Sequence, residues 1–359
     1  EKFRGPPGAG KERMMFRTYL EKVAAGERLS SQAMEGAMEA ILKGEVTDIH
    51  IAAFLMGLRL RGETIDEITA AARVLRQNAR KVEIPGKPLL DVVGTGGDGG
   101  GTFNISTAAA LVAASAGLSV AKHGNRSVSS RCGSADVVEA LGIPLFEDPF
   151  HAADSLERTG FAFLYAPYFH KAMKHVKNAR SSLGLRTLFN VLGPLINPAG
   201  ATRYLMGVYS PELLRPLTEV LRNLGADRAL VVHGAGGIDE ISLSGSTRFC
   251  FLREGEIEER TLTPEDFDLP RYPLTSFEGG KAEKNAMILR DIFEGRLRGA
   301  PLDMVLCNAS GALVAGGITE DFREGVTLAR KCIESGGVMR KIEELRSLKP
   351  RKDALEVAL

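Results

Sequence analysis

The chemistry in this sequence concentrates where a short apolar run, Leu89–Val93, passes straight into GTGGDGGG and then into TFNISTAAALVAASAG. Six of the eight residues Gly94–Gly101 are glycine. Glycine permits positive φ and lets a backbone come close to a ligand. An alanine-rich helix is expected from near Ser106 to Gly117. A helix start offers N–H groups without intrahelical partners and the positive end of a dipole, which together favour an anion. This is more glycine than a turn needs, placed ahead of a helix start, and it points to a phosphate group.

The next strand narrows the identity of the phosphate ligand. Gly94, Gly96 and Gly99 satisfy GxGxxG, the dinucleotide fingerprint, which also expects an acid about 20 residues on to hold a ribose hydroxyl. That strand ends instead in Lys122-His123-Gly124-Asn125-Arg126. Such an ending suits a further phosphate better than a nicotinamide ribose, with an NADP site left as an alternative. The stretch KHGNRSVSSRCGSADVVEALG gathers lysine, arginine and hydroxyls before a helix starting near Ser134, a second anion site. Successive parallel strands usually put such loops at one sheet edge. Asp239 and Glu240 follow the run Ala229–Val232 in a Gly-rich loop. Beside a polyphosphate they gain a role, because Mg²⁺ takes oxygen ligands and bridges phosphates. Arg180 precedes an apolar helix and the breaks Gly-Pro and Asn-Pro.

Other features are excluded as sites. GPPGAGK at Gly5–Lys11 fits the opening of a P-loop, but Glu12 stands where Mg²⁺ binding wants Ser or Thr, and no strand precedes it. Cys132, Cys250, Cys307 and Cys332 form no CxxC pair and read as reduced thiols of a cytosolic protein. Lys+Arg 46 against Asp+Glu 45 gives a net charge of +1, which argues against a nucleic-acid binder relying on bulk charge. The most apolar stretch, Ala108–Leu118, is far short of the roughly 20 residues of a membrane span. No signal peptide is read at the start.

The elements that must position these residues follow from periodicity. The 359 residues suggest two or three domains at roughly 100–200 residues each. Residues 1–13 carry no periodicity and are expected to be a disordered extension. From Met15 to Asn78 the pattern is helical. Met34, Ala37, Met38, Ile41 and Leu42 form one stripe, and Ile49, Ala52, Ala53, Met56 and Leu60 repeat it. Ser30, Thr47 and Thr64 are expected N-caps, with Gly44 and Gly62 as stops. After Pro85, short apolar runs (Leu89–Val93, Leu118–Ala121, Phe161–Tyr165, Leu205–Val208, Ala229–Val232) alternate with helical stretches. That alternation predicts an α/β domain with a mostly parallel central sheet. A hairpin is expected around Thr247–Arg260, with helices from Lys281 onward.

Taken together, GTGGD, NIST, KHGNRSVSS, GSADV, RTLFNVLGPLINP and GIDEIS occur in an order and spacing that resemble the anthranilate phosphoribosyltransferase family. The resemblance runs from about Met15 to the C-terminus. It implies transfer of 5-phosphoribosyl from phosphoribosyl pyrophosphate (PRPP) to the amine of anthranilate, with release of pyrophosphate, in tryptophan biosynthesis. It implies the nucleoside-phosphorylase-like fold, with a hinge between a small helical domain (14–84 and 176–200) and a large α/β domain (85–175 and 201–359). A cytoplasmic homodimer joined through the helical domains is implied as well. Residue by residue, Gly94, Gly97, Asp98, Thr102, Asn104, Ile105, Ser106 and Thr107 match positions that hold PRPP. So do Lys122, His123, Gly124, Asn125, Arg126, Ser127, Val128, Ser129, Ser130 and Ser134. Ser106, Asp239 and Glu240 match the Mg²⁺ ligands. Gly94, Asn125 and Arg180 match the anthranilate site, to which His123 and His170 are added. Arg131 and Cys132 stand where the family more usually has lysine and serine.

Residue chemistry agrees with that implication. Pyrophosphate must leave an oxocarbenium-like centre, so the protein must offset a polyanion and place the acceptor. An aryl amine is already unprotonated at neutral pH, so no general base is nominated. Two rivals are a pyrimidine nucleoside phosphorylase of the same fold, disfavoured by the intact Asp239–Glu240 and NIST blocks, and a non-catalytic binding homologue, which should show eroded motifs and a basic surface.

Overall fold

The computed structural model describes residues 9–96, 101–126 and 131–348. The chain forms two compact units. One runs to Ala79 and resumes over His170–Ile196; the other takes Arg80–Phe169 and the chain from Asn197 onward.

The first unit is helical: α1 (Ala9–Ala24), α2 (Ser31–Leu42), α3 (Asp48–Arg61) and α4 (Ile65–Gln77), joined later by α9 (Lys177–Leu183) and α10 (Leu188–Leu192). Residues 9–13, expected to lack structure, therefore belong to α1. The α2 stripe Met34, Ala37, Met38, Ile41 and Leu42 is buried, as its spacing predicts. The α3 stripe is not. Ile51, Phe54, Leu55 and Leu58 face inward, while Ile49 and Leu60 are 80% and 82% exposed. This helix carries two apolar faces, and the one holding Phe54, packed on Phe16 with ring centres 5.4 Å apart, wins the core. Thr64 caps α4 in a reciprocal box with Glu67. Glu67 is fully buried and also accepts from Leu29 N (2.7 Å) and the Arg61 guanidinium (2.5 and 3.0 Å). Burial pushes its carboxyl up, but Arg61 and the N–H groups of Thr64 and Leu29 outweigh that and hold it below the ordinary range. Ser30 caps α2 through Ala33 N. Thr47 makes no side-chain cap and bonds His50 Nδ1 at 2.7 Å instead.

The second unit holds a seven-stranded sheet of β1 (Leu90–Gly94), β2 (Val120–Gly124), β3 (Phe161–Tyr165), β4 (Arg203–Gly207), β5 (Arg228–Gly234), β6 (Thr247–Arg253) and β7 (Glu256–Leu262) in the order β3-β2-β1-β4-β5-β6-β7. The first five strands are parallel, and β6 and β7 add an antiparallel hairpin. Helices α5 (Ile105–Ser115), α6 (Ser134–Ala140), α7 (Pro149–Thr159), α8 (Ala166–Phe169), α11 (Leu214–Asn223), α12 (Ala282–Phe293), α13 (Ala300–Ala315), α14 (Phe322–Glu334) and α15 (Gly337–Ser347) complete it. The β1 side chains Leu90–Val93 are all buried, as expected of a parallel strand covered on both faces. α13 is buried on every side from Asp303 to Ala315, in keeping with its mostly apolar sequence.

The unit boundaries differ from the expected 14–84/176–200 division. Residues 80–84 and 197–200 go with the sheet, and 170–175 with the helices. Hydrogen bonds give the reason. Arg80 N donates to Phe169 O (2.9 Å) and Val82 N to Pro198 O (3.0 Å), tying the connecting segments together inside the sheet-bearing unit. The His170 ring is held by the Ile196 backbone within the helical unit.

Candidate active site

Four of the five parallel strands, β1, β2, β4 and β5, end in glycine: Gly94, Gly124, Gly207 and Gly234. Gly94 and Gly207 are register partners across the β1–β4 pair. That pair is where the order reverses, since β1 leads to β2 on one side and lies beside β4 on the other. Open parallel sheets bind ligands outside the strand ends at such a switch point. The sequence therefore concentrates its glycine at the place where topology opens a crevice.

A loop from β5 crosses this edge. Gly234 N donates to Ile238 O (2.9 Å), and Gly236 and Gly237 take φ of 88° and 76°, so the chain turns back at once. Asp239 and Glu240 land over the strand ends. Asp239 Oδ2 accepts from Gly96 N (2.7 Å), and Glu240 Oε1 accepts from Ser106 N (3.0 Å). A Cβ at Gly94 would collide with the Asp239 carboxylate, one at Gly207 with the Asp239 carbonyl, and one at Gly234 with the Glu240 carbonyl. Gly207 and Gly234 are site-forming residues missed in the sequence. Their signal is the glycine closing the apolar runs LMG and VVHG.

The N–H groups expected to be open at the start of α5 are partly engaged. Besides Ser106 N, Ile105 N donates to Phe103 O at 2.7 Å. Ile105 and Thr107 are fully buried, and the Thr107 hydroxyl finds no hydrogen-bond partner among the described residues. Lys122 is 2% exposed, with its Nζ donating to Val92 O and lying 3.4 Å from Ser106 Oγ. Burial lowers its pKa, and Asp91, Glu240 and Asp239 work in the opposite sense.

Asp91, hidden in the apolar run LLDVV, is a further residue that sequence reasoning missed. It is completely buried. It accepts from His123 N (3.0 Å) and from Asn197 Nδ2 (2.8 Å), which also donates to Ala121 O. Burial pushes its carboxyl up to about 7, with Asn197, Lys122 and the His123 N–H pulling the other way.

Part of the cluster of bases and hydroxyls expected after β2 lies in the described residues. Arg126 pairs with Asp136 (2.7 Å) and Glu139 (2.6 Å) of α6 and lies over the Tyr165 ring. Asn125 and Ser134 come together, Ser134 Oγ donating to Asn125 O at 3.3 Å. Thr102 bridges Glu278 in antiparallel fashion, and Gly279 N donates to Gly101 O at 2.7 Å. The 277–285 segment thus runs alongside the descending limb of the glycine loop, a contact that sequence spacing does not reveal. Gly97, Asp98, Ser127, Val128, Ser129 and Ser130 lie outside the described residues.

Arg180 and His170 belong to the helical unit. Arg180 sits within α9 and, as expected, ahead of the apolar helix α10, with its guanidinium over the Phe189 ring at 5.4 Å. Burial pulls its pKa down, and among the described residues no carboxylate pairs with it. His170 is 4% exposed and held by the Ile196 carbonyl, with burial taking its imidazole down to about 4. Cys132 places its Sγ 3.4 Å from Gly133 O, and burial pushes the thiol up to about 11, which disfavours the thiolate.

The three expected Mg²⁺ ligands, Ser106, Asp239 and Glu240, gather at one sheet edge and offer oxygen only. Among the described residues no group of three His, Cys, Asp or Glu forms a ready metal cage. Two carboxylates and a hydroxyl suit a magnesium ion that keeps waters and shares substrate phosphates.

Fold and site define a glycosyl-transfer protein built of two units. A model described as "Glycosyl transferase family, helical bundle domain" matches residues 17–79, and one described as "Glycosyl transferase family, a/b domain" matches residues 86–339. The chain is 49% identical over 331 residues to the anthranilate phosphoribosyltransferase of Petrotoga mobilis, covering 92% of this chain and 96% of that one. The crystal structure of the Thermus thermophilus enzyme of that name superposes with a TM-score of 0.87 at 46% identity, covering 92% of this chain and 98% of the other. The Saccharomyces cerevisiae enzyme in complex with PRPP and Mg gives 0.85 at 29% identity, covering 92% and 97%. Its complex with 4-fluoroanthranilate gives 0.84 at 29% identity, covering 93% and 97%. The chain belongs to the anthranilate phosphoribosyltransferase family.

Proposed function

We propose that this chain transfers the 5-phosphoribosyl group of PRPP to the amine of anthranilate and releases pyrophosphate, serving tryptophan biosynthesis. One observation carries the reading: Asp239 and Glu240 are held on the Gly96 and Ser106 N–H groups over the β1–β4 switch point, beside buried Lys122. This is an edge built for a polyphosphate with its metal. The yeast relative's complexes with PRPP and Mg and with 4-fluoroanthranilate support both substrates and the cofactor.

The residues divide the work. The glycine loop, Thr102, Asn104 and the start of α5, with Lys122 and the β2 loop, bind the donor. Ser106, Asp239 and Glu240 hold Mg²⁺, which when bound offsets the charge that builds on the departing pyrophosphate. The Arg180 fork takes the acceptor's carboxylate, to which a planar guanidinium is matched. Its half-buried position, with no carboxylate partner among the described residues, suits that task. The aryl amine arrives unprotonated, so the gain in rate comes from positioning and from fixed electrostatics. Arg126, paired to α6, acts by bracing the β2 loop.

We also read the outward face of α3 as a homodimer surface. Ile49 and Leu60 stand exposed on it, with Ala53 between them, and Met15 of α1 is 54% exposed. Four free cysteines fit a reducing, cytoplasmic setting. Among the described residues no helix is long and apolar enough to cross a membrane.

The test is turnover. With PRPP and Mg²⁺, anthranilate fluorescence should disappear as pyrophosphate accumulates. Turnover of thymidine with phosphate, and none of anthranilate, would replace this reading with a nucleoside phosphorylase. Arg180→Ala should raise the KM for anthranilate by about tenfold or more, the scale of a lost charged hydrogen bond, and leave the KM for PRPP nearly unchanged. Equal changes in both would remove Arg180 from the acceptor site.

A further inference from the structure

The segment beside the glycine loop contains a side chain whose polarity is fully determined. Asn285, near the start of α12, is 1% exposed. Its Oδ1 accepts from the backbone N–H of Gly280 at 2.6 Å. A backbone N–H can only donate, so the carbonyl end of this amide must point to it and the NH₂ end must point away. That NH₂ donates to Asn104 Oδ1 at 2.9 Å, and the Cys132 sulfur is its other neighbour on the donor side. Asn104 is thereby oriented in turn. Its Oδ1 is the acceptor toward Asn285, so its own NH₂ faces the Cys132 carbonyl at 3.4 Å. Asn104 terminates the loop after β1, and Cys132 lies in the loop after β2.

We propose that Asn285 is a positioning residue for donor binding, which fixes the Asn104 amide and through it staples the two anion-binding loops in one register. Nothing in the sequence spacing joins these residues, which lie 181 positions apart in the chain. Gly279 strengthens the case. A Cβ there would sit 2.7 Å from the Phe103 backbone, so the segment bearing Asn285 is pressed against the loop it serves. A surface helix start needs neither a buried amide nor so close an approach. The role bears on PRPP rather than on anthranilate, because Asn104 belongs to the donor side, and Asn125, the β2-loop residue matched to the acceptor, takes no part in these bonds. It rests on PRPP being the donor, as proposed for this site.

Asn285→Asp separates these roles. Aspartate keeps the shape and the bond from Gly280 N but has no hydrogen for Asn104, so the Asn104 amide loses its enforced orientation. The expected result is an increase of about tenfold in the KM for PRPP, the scale of one lost hydrogen bond, with the KM for anthranilate within twofold of the parent. Asn285→Gln, which keeps donor and acceptor on a longer arm, should show a smaller PRPP effect in the same direction. An unchanged KM for PRPP in Asn285→Asp, or equal increases for both substrates, overturns the proposal. So does failure of both variants to fold, which would make Asn285 a residue of the core alone. If the parent protein does not turn over PRPP and anthranilate at all, the donor reading itself is lost; if it does and Asn285→Asp is normal, only this inference falls.

Discussion

Gly207 lies directly beneath the backbone of Asp239, so that a Cβ at position 207 would occupy the space of the Asp239 carbonyl. At Gly94, its register partner, the added atom would meet the Asp239 carboxylate instead. Backbone cannot swing aside as a side chain can. Gly207→Ala should therefore cost roughly 1–3 kcal/mol by overpacking, lowering both the melting temperature and the activity. Gly94→Ala should fold nearly normally yet require more Mg²⁺, because it displaces only the acid. Thermal melts with a Mg²⁺ titration of turnover decide the matter, and a Gly207→Ala protein as stable and active as the parent would contradict the packing.

The acid pair can be tested without disturbing shape. Asp239→Asn with Glu240→Gln keeps oxygens for Gly96 N and Ser106 N but removes both charges. Activity should fall by about 100-fold or more, the scale of losing a metal's charge stabilisation, with little change in the melting curve. A variant that retained the parent's Mg²⁺ dependence would return the two acids to the role of loop anchors.

His170 makes stability depend on acid. Burial lowers its imidazole to about 4 from an ordinary 6.5. A depressed base is protonated more readily in the unfolded chain, so the stability it contributes is complete above about pH 6.5 and drains away as the pH falls toward 4. The full span is roughly 3 kcal/mol. Denaturant midpoints from pH 7 to pH 4 should decline more steeply for the parent than for His170→Asn, which cannot titrate. Parallel slopes would show that His170 is not the group responsible.

The outward face of α3 offers a test of assembly. Ile49→Glu with Leu60→Glu puts charge at two positions that are 80% and 82% exposed in the single chain, so folding should be untouched. Light scattering should then report half the parent's mass, since charge is poorly accommodated at the centre of an apolar interface. A parent already monomeric at tens of micromolar, or a doubly substituted protein of unchanged mass, would discard this surface.

Much of this was legible in the residues, and the failures share a cause. Phe161–Tyr165 could be bounded to the residue because its apolar run is unbroken. The apolar run Leu118–Ala121, read to end in Lys122–Arg126, is a strand over Val120–Gly124. Its polar end is satisfied by partners far off in sequence, Lys122 by Val92 O and the His123 N–H by Asp91. Periodicity finds stripes on α3 but cannot rank two of them; the choice belongs to Phe16 and the rest of the core. Asp91, Gly207 and Asn285 act through residues on other strands and loops, and no local window contains both halves of such a pair.

The adjacency of β1 and β4 has a consequence for how the protein is made. When β1, β2 and β3 have left the ribosome, the emerging chain owns the first two loops of the anion-binding edge. It lacks Gly207 and the acids that lie over it. The chain must also complete its second helical excursion, His170–Ile196, before β4 can dock. Long-range pairing of this kind is slow to form, because loop closure is costly until the contacts that reward it exist. The proposed site is therefore completed late in folding, and a product truncated before Asp239 can present glycine loops but never the acid pair proposed to hold Mg²⁺.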